Sequence, residues 1–240
     1  MERVAAADRR LAWDACLNLR DLGGLPTATG PVKRGALVRG SAFGSLSEQG
    51  REAMRAHGIR TVIDLRGPDE VADVRSPYAE DASYRHVHFV QGRTMGLHRA
   101  AVSGTMPTEL ARLAEAGGGL VAVVSEIARA EPGTLVHCLA GRDRTGFIVA
   151  VVLAALGAPD EAIVSDYAAS DAELVDEYER FYADKPEHKD EITDAIARRS
   201  WTMERVLVTI RAIHSDGAGY LRSAGLSDGD LELLRATLVA

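Results

Sequence analysis

A thiol and a guanidinium stand six positions apart in the string His137-Cys138-Leu139-Ala140-Gly141-Arg142-Asp143-Arg144-Thr145-Gly146. The thiolate is the nucleophilic form of cysteine. Arginine stays charged and presents a planar donor fork that matches two oxygens of a tetrahedral oxyanion. The pair therefore suits phosphoryl transfer: Cys138 attacks phosphorus, Arg144 steadies the growing charge, and water later releases phosphate from a cysteinyl-phosphate. Asp143, the one acidic side chain of the string, is the expected general acid. The hydroxyl of Thr145 is placed to donate to the sulfur in the second step, and His137 to fix the cysteine from behind. Leu139, Ala140, Gly141, Arg142, Thr145 and Gly146 complete the expected substrate-binding loop.

Such a loop has to be held between rigid elements. Residues 134–136 read as a short apolar strand, and residues 147–156 are apolar on every side, as in a buried helix. The first N–H groups of that helix lack intrahelical partners, and with the axial dipole they favour an anion. Successive loop amides can close a nest around it, with Gly141 and Gly146 supplying positive φ or close approach. A cysteine at this helix start, beside two arginines, is expected to ionise easily.

The string resembles the H-C-x-x-G-K-D-R-T-G signature of the atypical bacterial tyrosine phosphatases, a branch of the cysteine-dependent phosphatases. Asn18-Leu19-Arg20-Asp21-Leu22-Gly23-Gly24 is similar to the family's N-[FL]-R-D-L-G-G block, and Asp64-Leu65-Arg66 with Glu70 to its D-L-R-x-x-x-E block. Gly219-Tyr220-Leu221-Arg222 and Gly225-Leu226-Ser227 extend the likeness to the C-terminus. The resemblance implies a protein tyrosine phosphatase-like fold acting on phosphotyrosine or phosphoproteins. Arg142 stands where the family usually has lysine, adding bulk and a possible second fork at the pocket floor. Some relatives carry an acid on a loop after the third strand; here Phe89-Val90-Gln91-Gly92-Arg93-Thr94 has no carboxylate. That leaves the acid role to Asp143, as in lipid phosphatases with a C-x-x-G-x-D-R loop.

Composition sets wider bounds. Apolar residues make up 46% of the 240 and charged residues 26%, enough to build a core, so one domain over 1–240 is expected. A net charge of −7 gives no support to a basic nucleic-acid-binding face. No apolar run reaches membrane-spanning length, and no signal-like h-region follows the start. The cytoplasm is the default location, with signal-independent export left open. The chemistry needs neither metal nor cofactor. Cys16 reads as a small buried residue, or alternatively as a redox partner of Cys138.

Strand and helix signals alternate along the chain and predict an α/β fold, a mostly parallel central sheet flanked by helices with a helical C-terminal region. Turns are expected around 23–24 and 29–31, a first core strand over 36–39, a helix over 47–57 stopped by Gly58, and a strand over 61–65. Arg66 falls at that strand's carboxyl end, where open sheets bind ligands. It either contacts substrate phosphate or pairs with Asp64 or Glu70. Arg20 and Asp21 read as a turn-stabilising pair or as neighbours of the pocket. Residues 84–89 predict another strand, with His86 and His88 on one face as ordinary strand residues or, less favoured, metal ligands.

The glycine-rich stretch 91–119 reads as a lid or side wall containing a short helix over 108–116, or as a flexible insertion. A helix over 120–130 precedes the catalytic strand. Further helices are expected from Thr145 to Gly157, over 160–168, and from a capping box at Ser170 to about Tyr182. Residues 185–200 read as a solvated face. Trp201, Met203, Val206, Leu207 and Ile210 recur at helical spacing, as core or as walls of an apolar cleft. Two short helices end the chain, the last capped by Ser227.

The leading function is hydrolysis of phosphomonoesters on proteins, with small molecules such as phosphoinositides, nucleotides or sugar phosphates as the alternative. A sulfurtransferase shares the strand-terminal cysteine, but Asp143 and Thr145 speak against it. A non-catalytic phospho-binding module is the remaining rival.

Overall fold

Side chains along a strand point alternately to opposite faces, so a strand that is apolar throughout must have both faces covered. The four residues Thr134–His137 are all buried and form the middle of a five-stranded sheet. A computed structural model describes residues 9–89, 117–184, 190 and 199–240. In it β1 (Arg20–Asp21), β2 (Leu37–Gly40), β3 (Thr61–Asp64), β4 (Tyr84–His86) and β5 (Thr134–His137) lie in the order β1-β2-β5-β3-β4. β1 is antiparallel to β2, and the other pairs are parallel. The expected α/β architecture is the one observed.

Alternation sorts the core into two layers. Leu37, Ile63, Leu65 and Val136 face a large cluster, whereas Val38, Val62 and Leu135 face a smaller one. The smaller is closed by Trp13, Cys16, Leu19, Phe43 and Leu46 with Met54 of α1 (Glu48–Ala56). Ser47 caps α1 by accepting the Gly50 N–H at 3.1 Å. The larger cluster takes in α3 (Gly117–Arg129), α4 (Asp143–Ala155), α5 (Asp160–Glu173), α7 (Arg199–His214), α8 (Gly217–Ala224) and α9 (Asp228–Leu238). Two further helices, α2 (Pro68–Asp73) and α6 (Val175–Asp184), complete the described set. α4 buries residues on all sides, with α5, α8 and α3 against it.

Several expectations are corrected. Gly117 to Gly119 belong to a helix instead of a loop, and Gly119 sits where an added Cβ would lie 3.4 Å from Phe89 Cδ2. α5 runs unbroken through Ser170, whose hydroxyl accepts from Arg20 Nη2 at 3.1 Å instead of capping a new helix. Met203, Val206, Leu207 and Ile210, by contrast, are buried in the core as the favoured reading had it. α2 had no expected counterpart. Most of the expected lid over 91–119 with its helix over 108–116, and most of the stretch 185–200, lie outside the described residues. Among the described residues no helix is long and apolar enough to cross a membrane.

Candidate active site

β5 ends at the carboxyl edge of the sheet, with His137 level with Gly40 of β2 and Asp64 of β3. The chain then turns through residues 138–142 into α4. Cys138 is 3% exposed at the start of this turn, Leu139 is 49% exposed, and Gly141 has φ +66°. A Cβ on Gly141 would lie 2.2 Å from the Gly40 carbonyl oxygen, so only glycine lets the loop cross the end of β2.

The carbonyls of this turn are tied to the scaffold one after another. Cys138 O accepts from His137 Nδ1 at 3.3 Å, and Leu139 O from the Ala42 N–H at 2.9 Å. Asn18 Nδ2 donates to Ala140 O and Gly141 O, both at 3.0 Å. Arg39 Nη2 donates to Gly141 O at 2.8 Å and to Arg142 O at 3.3 Å. A peptide's N–H points opposite to its C=O. Five successive carbonyls drawn back therefore turn the amides of residues 139–143 away from the scaffold, alongside the free N–H groups that open α4. Burial holds the His137 pKa below the ordinary value.

Arg144 is aimed by a carboxylate. Its Nη1 and Nη2 donate to Glu70 Oε2 at 2.6 Å and Oε1 at 2.7 Å. This end-on bidentate pair leaves the side of the fork free, and Nε is buried without a hydrogen-bond partner among the described residues. Burial opposes the Arg144 charge, yet the Glu70 bond and the neighbouring Cys138 sulfur hold its pKa above the usual value. Glu70 is fixed in turn by the Gly67 N–H at 2.9 Å, at the Pro68-started N-terminus of α2.

Arg66 does not reach out of the sheet edge. Its guanidinium is buried and donates to Asp64 Oδ1 (3.0 Å) and Oδ2 (2.7 Å), to Glu70 O (3.3 Å) and to Val74 O (2.8 Å). The expected contact with substrate phosphate is thus replaced by the pairing alternative, because Asp64 and the α2 backbone take its donors. Burial would raise the Asp64 pKa, but Arg66 and His137 bring it down to about 2. Arg142 likewise turns inward: it is 1% exposed and ion-paired with Asp171 of α5 instead of lining a pocket floor. The Thr145 hydroxyl is buried and has no hydrogen-bond partner among the described residues, so the expected bond to the sulfur is not formed.

One face of α5 supports the loop from behind. Asp166 accepts from Arg39 Nη1 (2.7 Å), Arg9 Nη1 (2.8 Å) and Arg20 Nε (3.4 Å), all four side chains being buried. Burial alone would raise the Asp166 pKa, but the three guanidiniums hold it far below the ordinary value. Burial and the nearby Arg39 lower Arg20 to about 10. Tyr167 OH donates to Asp143 Oδ1 at 2.9 Å. Its ring packs so closely on Gly146 that a Cβ there would lie 2.6 Å from Cδ2. Sequence reading missed Arg9, Arg39, Asp166, Tyr167 and Asp171. The only signal was the helical spacing of Asp166, Tyr167 and Asp171, disguised by the false cap at Ser170.

Elsewhere, Cys16 is a free thiol that burial pushes up to about 12, which suits inert packing. His86 Nε2 meets the Arg66 carbonyl at 2.8 Å. Among the described residues no three His, Cys, Asp or Glu side chains cluster as a metal site.

A thiol at the end of a central parallel strand, an amide-lined turn, and an arginine on the first turn of the following helix define a cysteine-dependent phosphatase. The comparisons agree. The sequence profile of the tyrosine phosphatase family matches residues 11–240, and the chain belongs to that family. It is 28% identical to the triple specificity protein phosphatase PtpB of Mycobacterium tuberculosis, over 95% of this chain and 97% of the relative. It is 28% identical to a tyrosine-protein phosphatase of Nostoc commune, over 85% of this chain and 74% of the relative. A putative tyrosine-protein phosphatase of Cupriavidus necator is 29% identical over 65% of this chain and 61% of the relative.

Proposed function

We propose that this phosphatase works through a phosphoryl group carried on Cys138. The thiolate attacks phosphorus, the ester oxygen leaves with a proton from Asp143, and the amides of residues 139–143 with the Arg144 fork bind the three non-bridging oxygens. Water then attacks the phosphocysteine, returning a proton to Asp143 and the electron pair to sulfur. The observation that carries this reading is Arg144, immobilised end-on by Glu70 beside Cys138 with its Nε left without a partner.

Phosphotyrosine and phosphorylated proteins are the substrates we assign first, in keeping with the names of the relatives. A chain of net charge −7 offers no general attraction to nucleic acid. Both cysteines are free thiols, which supports a reducing location such as the cytoplasm. Cys138→Ser tests the mechanism: hydrolysis is abolished while vanadate or another phosphate analogue still binds. Near-normal turnover by that variant would overturn it. kcat/KM across phosphopeptides, phospholipids and phosphorylated metabolites then tests the substrate class, with proteins expected to lead. Release of phosphate, and not thiocyanate from thiosulfate and cyanide, separates the reading from a sulfurtransferase.

A further inference from the structure

General acid catalysis requires more than a carboxyl group in the loop. The oxygen that carries the proton must face the leaving group, and an aspartate has two oxygens and a freely turning terminal torsion. Asp143 is half-buried on the first turn of α4, and Tyr167 OH donates to its Oδ1 at 2.9 Å. Tyr167 comes from α5, in the row that includes Asp166, Ser170 and Asp171, and these three hold Arg39, Arg20 and Arg142. Its ring is locked against Gly146. The phenol therefore has a fixed position relative to the loop.

We infer that Tyr167 is a positioning residue for the proposed acid: by occupying Oδ1 it presents Oδ2 of Asp143 as the oxygen that gives its proton to the leaving group. The inference rests on Asp143 being the acid. The phenol itself moves no proton, and burial raises its pKa well above 10, so it remains a donor throughout the working range. The balance of the step is unchanged: the P–O bond breaks, the leaving oxygen takes the Oδ2 proton, and the S–P bond forms.

The test is a series of aryl phosphates whose leaving phenols run from strongly to weakly acidic, measured with wild type, Tyr167→Phe, Asp143→Asn and the double variant. Phenylalanine keeps the ring against Gly146, and circular dichroism with a melting curve checks the fold. The loss in Tyr167→Phe is expected to grow along the series to about 10- to 100-fold on the poorest leaving group, the size of a small misplacement of a reacting group. The double variant is expected to be no slower than Asp143→Asn. An equal loss on every substrate, no loss, or a double variant as slow as the product of the two single losses would overturn the inference. If Asp143→Asn shows the rising loss and Tyr167→Phe does not, only the positioning role fails. If Asp143→Asn itself shows no rise, the acid assignment fails, and this inference with it.

Discussion

Arg144 and Glu70 divide one guanidinium into an end that is held and a side that is left for the proposed oxyanion. Lysine would keep the charge but lose both the fork and the fixed direction. Arg144→Lys is therefore expected to cost about 10²–10³-fold in kcat/KM, the usual toll for losing a donor to a developing oxyanion, with Glu70 left unpaired. A variant within a few-fold of wild type would refute the fork's role. Asp143→Asn is expected to lose about 10²–10⁴-fold on substrates with poor leaving groups and less on good ones. The roles proposed for Asp143 and Arg144 rest on side-chain chemistry that the short string displays directly, so they can be proposed without coordinates. The parts given to Arg66 and Arg142 were harder to read, because a buried arginine and a ligand-binding one are the same letter, and their partners Asp64 and Asp171 decide between them.

At the scale of elements the loop is shaped by what lies behind it. Gly141→Ala would force a Cβ onto the Gly40 carbonyl at a positive φ that alone costs roughly 1–2 kcal/mol. A lower melting temperature and a strongly weakened affinity for phosphate analogues are expected; unchanged binding would mean that the loop geometry does not need this turn. Asn18→Ala removes a donor from two loop carbonyls, of which Gly141 O keeps Arg39 and Ala140 O is left unsatisfied at about 1–3 kcal/mol, and should raise KM more than it lowers kcat. Four of the five strands and most helices were legible because β-branched runs, Ser47 and Ser227 caps, and Gly58 and Gly157 stops are local signals. α5 was divided wrongly because Ser170 obeys a long-range partner, Arg20, that local spacing does not reveal. The antiparallel edge strand β1 is two residues long and carries no pattern of its own. Its Arg20 and its neighbour Asn18 join the site only through the fold.

For the whole molecule, buried charge ties stability to pH. Asp64 and Asp166 have folded-state values below the ordinary carboxylate value of 3.8, Asp64 at about 2. A carboxylate of this kind contributes its stability above the unfolded value and loses it as pH falls towards the folded one. Stability to urea should therefore hold from neutral pH down to about 4 and fall steeply between about 4 and 2. Asp166→Asn leaves Arg9, Arg20 and Arg39 buried around a neutral amide, and a loss of about 3–5 kcal/mol is expected. An acid transition of unchanged steepness in that variant would show that the cluster does not set the curve. The most direct test of the central claim is a rapid acid quench of a single turnover on a ³²P-labelled phosphotyrosine peptide, followed by mapping of the label. Phosphate should appear on the peptide that carries Cys138 at a rate fast enough to account for turnover, and be absent in Cys138→Ser. Full turnover with no label on the protein, or label that persists in that variant, would contradict the account.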